Sequence, residues 1–195
     1  IPFPRLSVVR LERWQTEQRS ALRMQRMYPY YFTVFLYAGL EVLATSWMAA
    51  YMIHALGYTT LIASVAVALI WICAAIARLA CARLTERIAP QRLALLQCLL
   101  LLCALSLCLA VADGRLFWLA VCCIGLGLSG LWPLLFGAAL DVNGGGGATM
   151  SILMLWACAG AGSISVLAGI IGSQFGMTPV MSAAVLLSIV CFMLC

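Results

Sequence analysis

The segment that decides the fold is "YFTVFLYAGLEVLATSWMAAYM", Tyr31 to Met52, which places one carboxylate, Glu41, in an otherwise apolar run. A helix needs about 20 predominantly apolar residues to cross the roughly 30 Å hydrocarbon layer of a bilayer. If the helix begins near Tyr30, Glu41 lies about 17 Å along it at ~1.5 Å per residue, close to the bilayer centre. We therefore predict a transmembrane helix with an acidic group at its middle.

A carboxylate at the centre of a membrane helix costs several kcal/mol when it faces lipid, so we expect Glu41 to face the interior of the protein or a water-filled cavity. Tyr37 and Thr45 lie four residues before and after it, hence on the same helical face. This polar stripe predicts the lining of a cavity, where Glu41 would bind a hydroxyl-rich solute or take up a proton. The alternative is an interhelical hydrogen bond that only fixes two helices together.

Composition extends this interpretation to the whole chain. Of 195 residues, 66% are apolar and 9% are charged, and the mean hydropathy is +1.11, outside the range of water-soluble domains. We predict an all-α membrane protein whose residues 28–195 form one bundle of six transmembrane helices. The predicted spans are 29–54, 60–80, 92–111, 116–139, 149–171 and 178–195.

The basic residues predict the orientation. All eleven are Arg, and ten of them lie between residues 5 and 26 or between residues 78 and 92. Because positive charge accumulates in cytoplasmic segments, both stretches are expected in the cytoplasm, with residues 1–27 as a linker or an interfacial amphipathic helix. Basic residues that flank membrane spans account for the net charge of +5. We therefore predict no nucleic-acid partner. The predicted location is a bacterial inner membrane.

Residues with catalytic or metal-binding potential are sparse. The ten cysteines fall mostly within predicted spans without a Cys-x-x-Cys pair, and His54 is the single histidine. No zinc-protease or hydrolase motif occurs, and a chain without Lys has no phosphate-binding loop. We therefore predict no enzyme activity, no metal site and no cofactor beyond a coupling ion. Trp132 and Trp156, within predicted spans, are candidates for stacking on a solute or for interface anchoring.

One loop resembles a signature of the major facilitator transporters. "ARLTERIAPQR", Ala82 to Arg92, is similar to the Gly-x-Leu-x-Asp-Arg-x-Gly-Arg-Arg motif that joins the second and third helices of each six-helix half. Ala82 and Ala89 replace glycines of that motif. The positions that match in type are Leu84, Glu86, Arg87 and Arg92.

Three further segments resemble the fucose permease-like group of the same superfamily. "YAGLEVLATSW" is similar to the seventh helix of that group, "GLGLSGLWPLLFGAAL", with Ser129 and Pro133, to the tenth, and "ATMSILMLWACAGAGSI" to the eleventh. The resemblance covers nearly all of the chain after residue 27. It implies the C-terminal half of a major facilitator fold, whose partner would be an N-terminal six-helix half in the same polypeptide or a separate chain.

The resemblance also implies a function. Major facilitator proteins of this group are secondary transporters that move sugars or related small solutes by alternating access, coupled to H⁺ or Na⁺. Glu86, Arg87 and Arg92 would then belong to a cytoplasmic gate, and Arg78 would be a positive-inside anchor or a further gate residue, with the anchor favoured. The competing hypothesis is a non-transporting membrane subunit that acts as a scaffold or assembly factor in a larger complex.

Overall fold

The computed structural model describes residues 25–111, 114–143 and 146–194, and throughout these ranges every regular element is a helix. Most of the predicted linker, residues 1–24, lies outside them. After a 3₁₀ turn at Gln25–Met27, the helices are α1 Tyr28–His54, α2 Thr60–Leu84, α3 Pro90–Ala110, α4 Gly114–Leu128, α5 Leu131–Asn143, α6 Gly147–Phe175 and α7 Met177–Leu194.

Within the described residues, six segments are long and apolar enough to cross a membrane, and α4 and α5 together form the fourth, Gly114–Val142. Their surfaces agree with a bilayer environment, because large apolar side chains are exposed on several helices. Leu61 on α2 is 76% exposed, and Leu155 and Phe175 on α6 are also mostly exposed. Lipid solvates such side chains favourably, whereas water does not. The prediction of an all-helical integral membrane protein is confirmed.

The helix ends follow from local sequence. Proline stands in the first turn of α1 and at the start of α3, where its missing N–H would have no intrahelical partner anyway. Thr59 caps α2, and its hydroxyl oxygen accepts a hydrogen bond from the Ile62 N–H at 3.4 Å. Gly176, with a φ of 85°, makes the tight connection between α6 and α7. These signals give the bundle its short connections.

Helix α1 is the centre of the bundle. It packs on α2, α6 and α7, and it touches α5. Helix α4 lies between α2 and α3, and α3 also packs on α7, so that α1, α2, α4, α3 and α7 form a closed ring of contacts. The face of α1 that carries Glu41 therefore points into protein rather than into lipid.

Glycines allow two pairs of helices to approach closely. A Cβ built on Gly39 of α1 would overlap Ile164 of α6, and one built on Gly160 of α6 would overlap the Phe35 backbone. Gly125 of α4 lies in the same way against the Ile70 carbonyl of α2. These glycines serve helix packing, because their small size lets two helix backbones approach each other closely.

The fourth span is interrupted between α4 and α5, at Ser129 and Gly130. Pro133 explains the position of the break. Proline has no N–H, so the carbonyl four residues earlier, that of Ser129, loses its helical donor, and the proline ring also crowds it. The break places two backbone carbonyls inside the membrane region without their usual partners.

Candidate functional site

The carbonyls released by the break receive hydrogen bonds from two other helices. The Tyr37 hydroxyl of α1 donates to the Leu128 carbonyl at 2.7 Å. The Arg78 Nε of α2 donates to the Ser129 carbonyl at 3.2 Å. In a continuous helix these carbonyls would accept from residues 132 and 133, and residue 133 is proline. The break is therefore stabilised by side chains from α1 and α2.

Glu41 lies beside the break. The Trp132 indole Nε1–H donates to Glu41 Oε2 at 2.7 Å, and the indole packs edge-to-face on Tyr37, with ring centres 5.3 Å apart. Phe136 stacks on the other side of Trp132 at 5.3 Å. Glu41 remains partly exposed. The structure thus brings together three of the residues predicted to line a cavity: Tyr37, Glu41 and Trp132.

Thr45 lies on the same face, but its hydroxyl is less available to a solute than the sequence predicts. Its hydroxyl donates to the Glu41 backbone carbonyl, one turn earlier in α1, at 2.7 Å. The residue is 4% exposed. Such back-bonding is common for threonine in membrane helices and uses the hydroxyl proton locally. Only the oxygen lone pairs of Thr45 remain for another partner.

Trp156, the fifth predicted residue, lies at a different place. It is on α6, where it stacks on Tyr31 at 6.1 Å and meets Phe35 edge-to-face at 6.2 Å. Tyr31 precedes Glu41 by about 15 Å along α1, at ~1.5 Å per residue. Trp156 is also 39% exposed. The structure therefore places it in an aromatic cluster between α1 and α6, separate from the Glu41–Trp132 pair.

A second polar cluster was missed by the sequence reasoning. Gln97, in the middle of α3, is 6% exposed. Its Nε2 donates to Cys81 Sγ at 2.7 Å and to Ser129 Oγ at 3.3 Å. The Ser129 hydroxyl itself donates to the Leu126 carbonyl at 3.0 Å. A polar residue at the middle of an apolar span was the available signal, by the same reasoning that singled out Glu41.

Arg78 connects the two clusters. We predicted a positive-inside anchor or a further gate residue. In the structure, the Arg78 Nε contacts the break at Ser129, about 9 Å before the end of α2 at ~1.5 Å per residue. Arg78 is thus an exposed charged residue whose guanidinium holds the interruption of the fourth span.

Two clefts adjoin the break, and Pro133 lines both. The larger, about 650 Å³, is called here the α1–α3–α5 cleft; Tyr30, Thr33, Gln91 and Asp141 are among its lining residues. The smaller, about 300 Å³, is called the Arg78 cleft and is lined by Arg78, Cys81, Thr85 and Gly130, among others. Both volumes fall within or at the lower edge of the range for small-molecule sites.

The predicted gate residues lie at the turn between α2 and α3. Glu86, Arg87 and Arg92 are exposed there, and the Arg87 N–H closes the turn on the Leu84 carbonyl at 2.9 Å. This turn adjoins the α1–α3–α5 cleft, which Gln91 lines. Across the described part of the chain, no group of three His, Cys, Asp or Glu residues is arranged to hold a metal ion.

Comparison with known proteins adds no identification. The chain matches no protein-family model, and no curated protein is significantly similar to it. The relation to major facilitator transporters therefore stays a prediction from the quoted motifs. What the structure establishes is an all-helical membrane protein with six apolar spans, an interrupted fourth span, and an interior carboxylate bound at that interruption.

Proposed function

We propose that the protein is one six-helix bundle of a secondary active transporter, which moves a small polar solute such as a sugar by alternating access, coupled to H⁺ or Na⁺. The observation that carries the proposal is the Glu41–Trp132 hydrogen bond at the interruption of the fourth span. The motif resemblance supports the C-terminal half of a major facilitator fold, with an N-terminal half as its partner and the bacterial inner membrane as its location.

The state of Glu41 favours a functional role over a purely structural one. Trp132 takes Oε2, whereas Oε1 has no hydrogen-bond partner among the described residues. Glu41 is partly exposed, and Oε1 is not one of the described buried atoms that lack a partner, so it is accessible from outside the packed core. The second oxygen is therefore open to a solute hydroxyl or to a proton.

The interruption next to Glu41 favours a bundle that changes conformation. Its two free carbonyls depend on single side-chain hydrogen bonds from Tyr37 and Arg78, each with a net value of about 1 kcal/mol. The angle between α4 and α5 can therefore change when these two weak hydrogen bonds are exchanged for others. Discontinuous helices at the substrate site are a recurring feature of secondary transporters.

The test is uptake of radiolabelled sugars by proteoliposomes, with and without an inward proton gradient. Glu41→Gln keeps the shape and the hydrogen-bond acceptor but removes the charge, and we expect it to abolish gradient-driven uptake. The matched control is Glu17→Gln, in the predicted cytoplasmic linker, which we expect to transport normally. Full uptake by Glu41→Gln would remove Glu41 from the mechanism.

A negative result with wild-type protein has a defined meaning as well. Absence of uptake for every sugar and related solute, from protein shown to be folded by its helical circular dichroism, would contradict the proposal. The scaffold hypothesis would then gain support, and copurification of a stable membrane partner would be the next measurement.

A further inference from the structure

Arg78 is exposed, and among the described residues it has no ion-pair partner at hydrogen-bonding distance. The hydrogen bond recorded for its guanidinium runs from Nε to the Ser129 carbonyl, at 3.2 Å. Glu41, the interior acid, receives its hydrogen bond from Trp132. An arginine within a span normally pairs with an acid or with backbone, or lines a pathway. Its two terminal nitrogens are thus left to bind something else.

Those nitrogens lie at a cleft with no competing charge. Among the described residues that line the Arg78 cleft, about 300 Å³ in volume, Arg78 is the one charged residue. The Thr85 hydroxyl, also in the lining, already donates to the Ala82 carbonyl at 2.9 Å. The cleft therefore presents positive charge and N–H donors, a combination that selects an anion.

Gln97 is a second polar residue near the cleft whose hydrogen bonding within the protein is incomplete. Its Oε1 is buried and has no hydrogen-bond partner. Turning the amide by half a revolution would exchange this free acceptor for a free donor, and would not remove the deficit. A buried amide with one unpaired atom costs about 1–3 kcal/mol, so such an atom in a native protein calls for a partner.

The free amide atom lies next to the cleft. Gly130 lines the Arg78 cleft, and a Cβ built on it would be 2.6 Å from Gln97 Nε2 and 2.8 Å from Gln97 Oε1. Cys81 both lines the cleft and accepts from Gln97. The Gln97 amide thus lies directly behind two residues of the cleft lining, Gly130 and Cys81, and Gly130 has no side chain to separate it from the cleft.

We propose that the Arg78 cleft binds an oxyanion, a carboxylate or phosphate group, with Arg78 as the anchoring residue and the Gln97 amide as a second donor. The guanidinium is planar and presents paired N–H groups that match two oxygens of such an anion. The source is a small anionic solute or the headgroup of an anionic lipid, since both carry this chemistry. Binding of this kind does not depend on the transport proposal.

The alkylation rate of Cys81 provides a direct test, because trypsin cuts after Arg78 and Arg83 and releases a peptide in which Cys81 is the single thiol. The protein in phosphatidylcholine nanodiscs is treated with N-ethylmaleimide, with inorganic phosphate, acetate, or chloride at equal ionic strength. The tryptic peptide Met27 to Arg78, with Cys73 as its single thiol, provides the internal reference. A second sample replaces part of the phosphatidylcholine by phosphatidylglycerol.

We expect phosphate or acetate to slow Cys81 alkylation by about tenfold relative to Cys73, equivalent to ~1.4 kcal/mol, if the ligand is a solute. We expect phosphatidylglycerol alone to do so if the ligand is a lipid. Arg78→Lys keeps both cleavage sites and the charge but loses the paired N–H geometry, and should lose the protection. Gln97→Leu should lose it as well, and provides the test if the first variant does not fold.

Three results would overturn the proposal. The first is a Cys81 rate that neither solutes nor phosphatidylglycerol change. The second is equal protection in wild type and in both variants. The third is a Cys81 that reacts only after denaturation in sodium dodecyl sulfate, since the cleft would then be closed to small molecules.

Discussion

Replacement of Tyr37 by phenylalanine tests whether the interruption of the fourth span depends on a hydrogen bond from α1. The change removes one oxygen and leaves the ring, which packs on Trp132. Tyr37 is 1% exposed, and its hydroxyl is the partner of the Leu128 carbonyl at 2.7 Å. Water does not reach this carbonyl, so the loss leaves it unsatisfied, at a cost of about 1–3 kcal/mol.

The assay is reversible unfolding of the purified protein in mixed micelles by increasing sodium dodecyl sulfate, followed by helical circular dichroism. We expect Tyr37→Phe to lower the free energy of unfolding by ~2 kcal/mol, the middle of the range for an orphaned buried acceptor. Tyr30→Phe removes the same atom at a residue for which the structure records no hydrogen bond, in the lining of the α1–α3–α5 cleft. This control should change stability by less than ~0.5 kcal/mol.

Tyr37→Phe in a Pro133→Ala variant tests whether the cost of losing the hydroxyl depends on the interruption of the fourth span. Pro133→Ala restores a backbone N–H at residue 133, so the fourth span can form a continuous helix that satisfies its own carbonyls. In that background the Tyr37→Phe cost should fall below ~1 kcal/mol, because the helix then satisfies the Leu128 carbonyl itself. Equal costs in both backgrounds, or equal costs for Tyr37→Phe and Tyr30→Phe, would refute the reasoning.

Three further changes have expected outcomes. Gly160→Ala places a methyl group against the α1 backbone and should lower the free energy of unfolding by ~2 kcal/mol or more. Gly162→Ala places its methyl group in open space and should not lower it. The same unfolding assay measures both variants. Trp132→Phe removes the donor to the interior carboxylate and should reduce gradient-driven uptake about tenfold, while Trp156→Phe should leave it unchanged. Gln97→Leu removes a buried unpaired oxygen and should raise unfolding free energy by ~1 kcal/mol.

Each of these outcomes has a clear opposite. Equal effects of the two glycine variants would mean that α1 and α6 are not closely packed at residue 160. Loss of uptake in Trp156→Phe would place the aromatic cluster of α1 and α6 in the solute pathway. A destabilised Gln97→Leu would show that the two donated hydrogen bonds outweigh the unpaired oxygen.

The sequence predicted some of the residues that build the site but not the contacts between them. Glu41 and Tyr37 were predicted because they are polar residues on one face of a single apolar span, a pattern that is visible within one helix. Trp132 was a candidate, but its bond to Glu41 joins residues 91 positions apart. Trp156 was an equally good candidate by composition, and it packs elsewhere because its position on α6 lies opposite Tyr31 and Phe35, near the start of α1.

The sequence by itself determined the six spans, because the free energy of placing a helix in a bilayer depends on the residues of that helix alone. The sequence also fixes where the fourth span lacks a backbone donor, because Pro133 has no N–H wherever the helices pack. Only the tertiary structure decided which groups repair that defect. The donors, Tyr37 and Arg78, come from other helices, and their reach depends on the rotation and depth at which the helices pack.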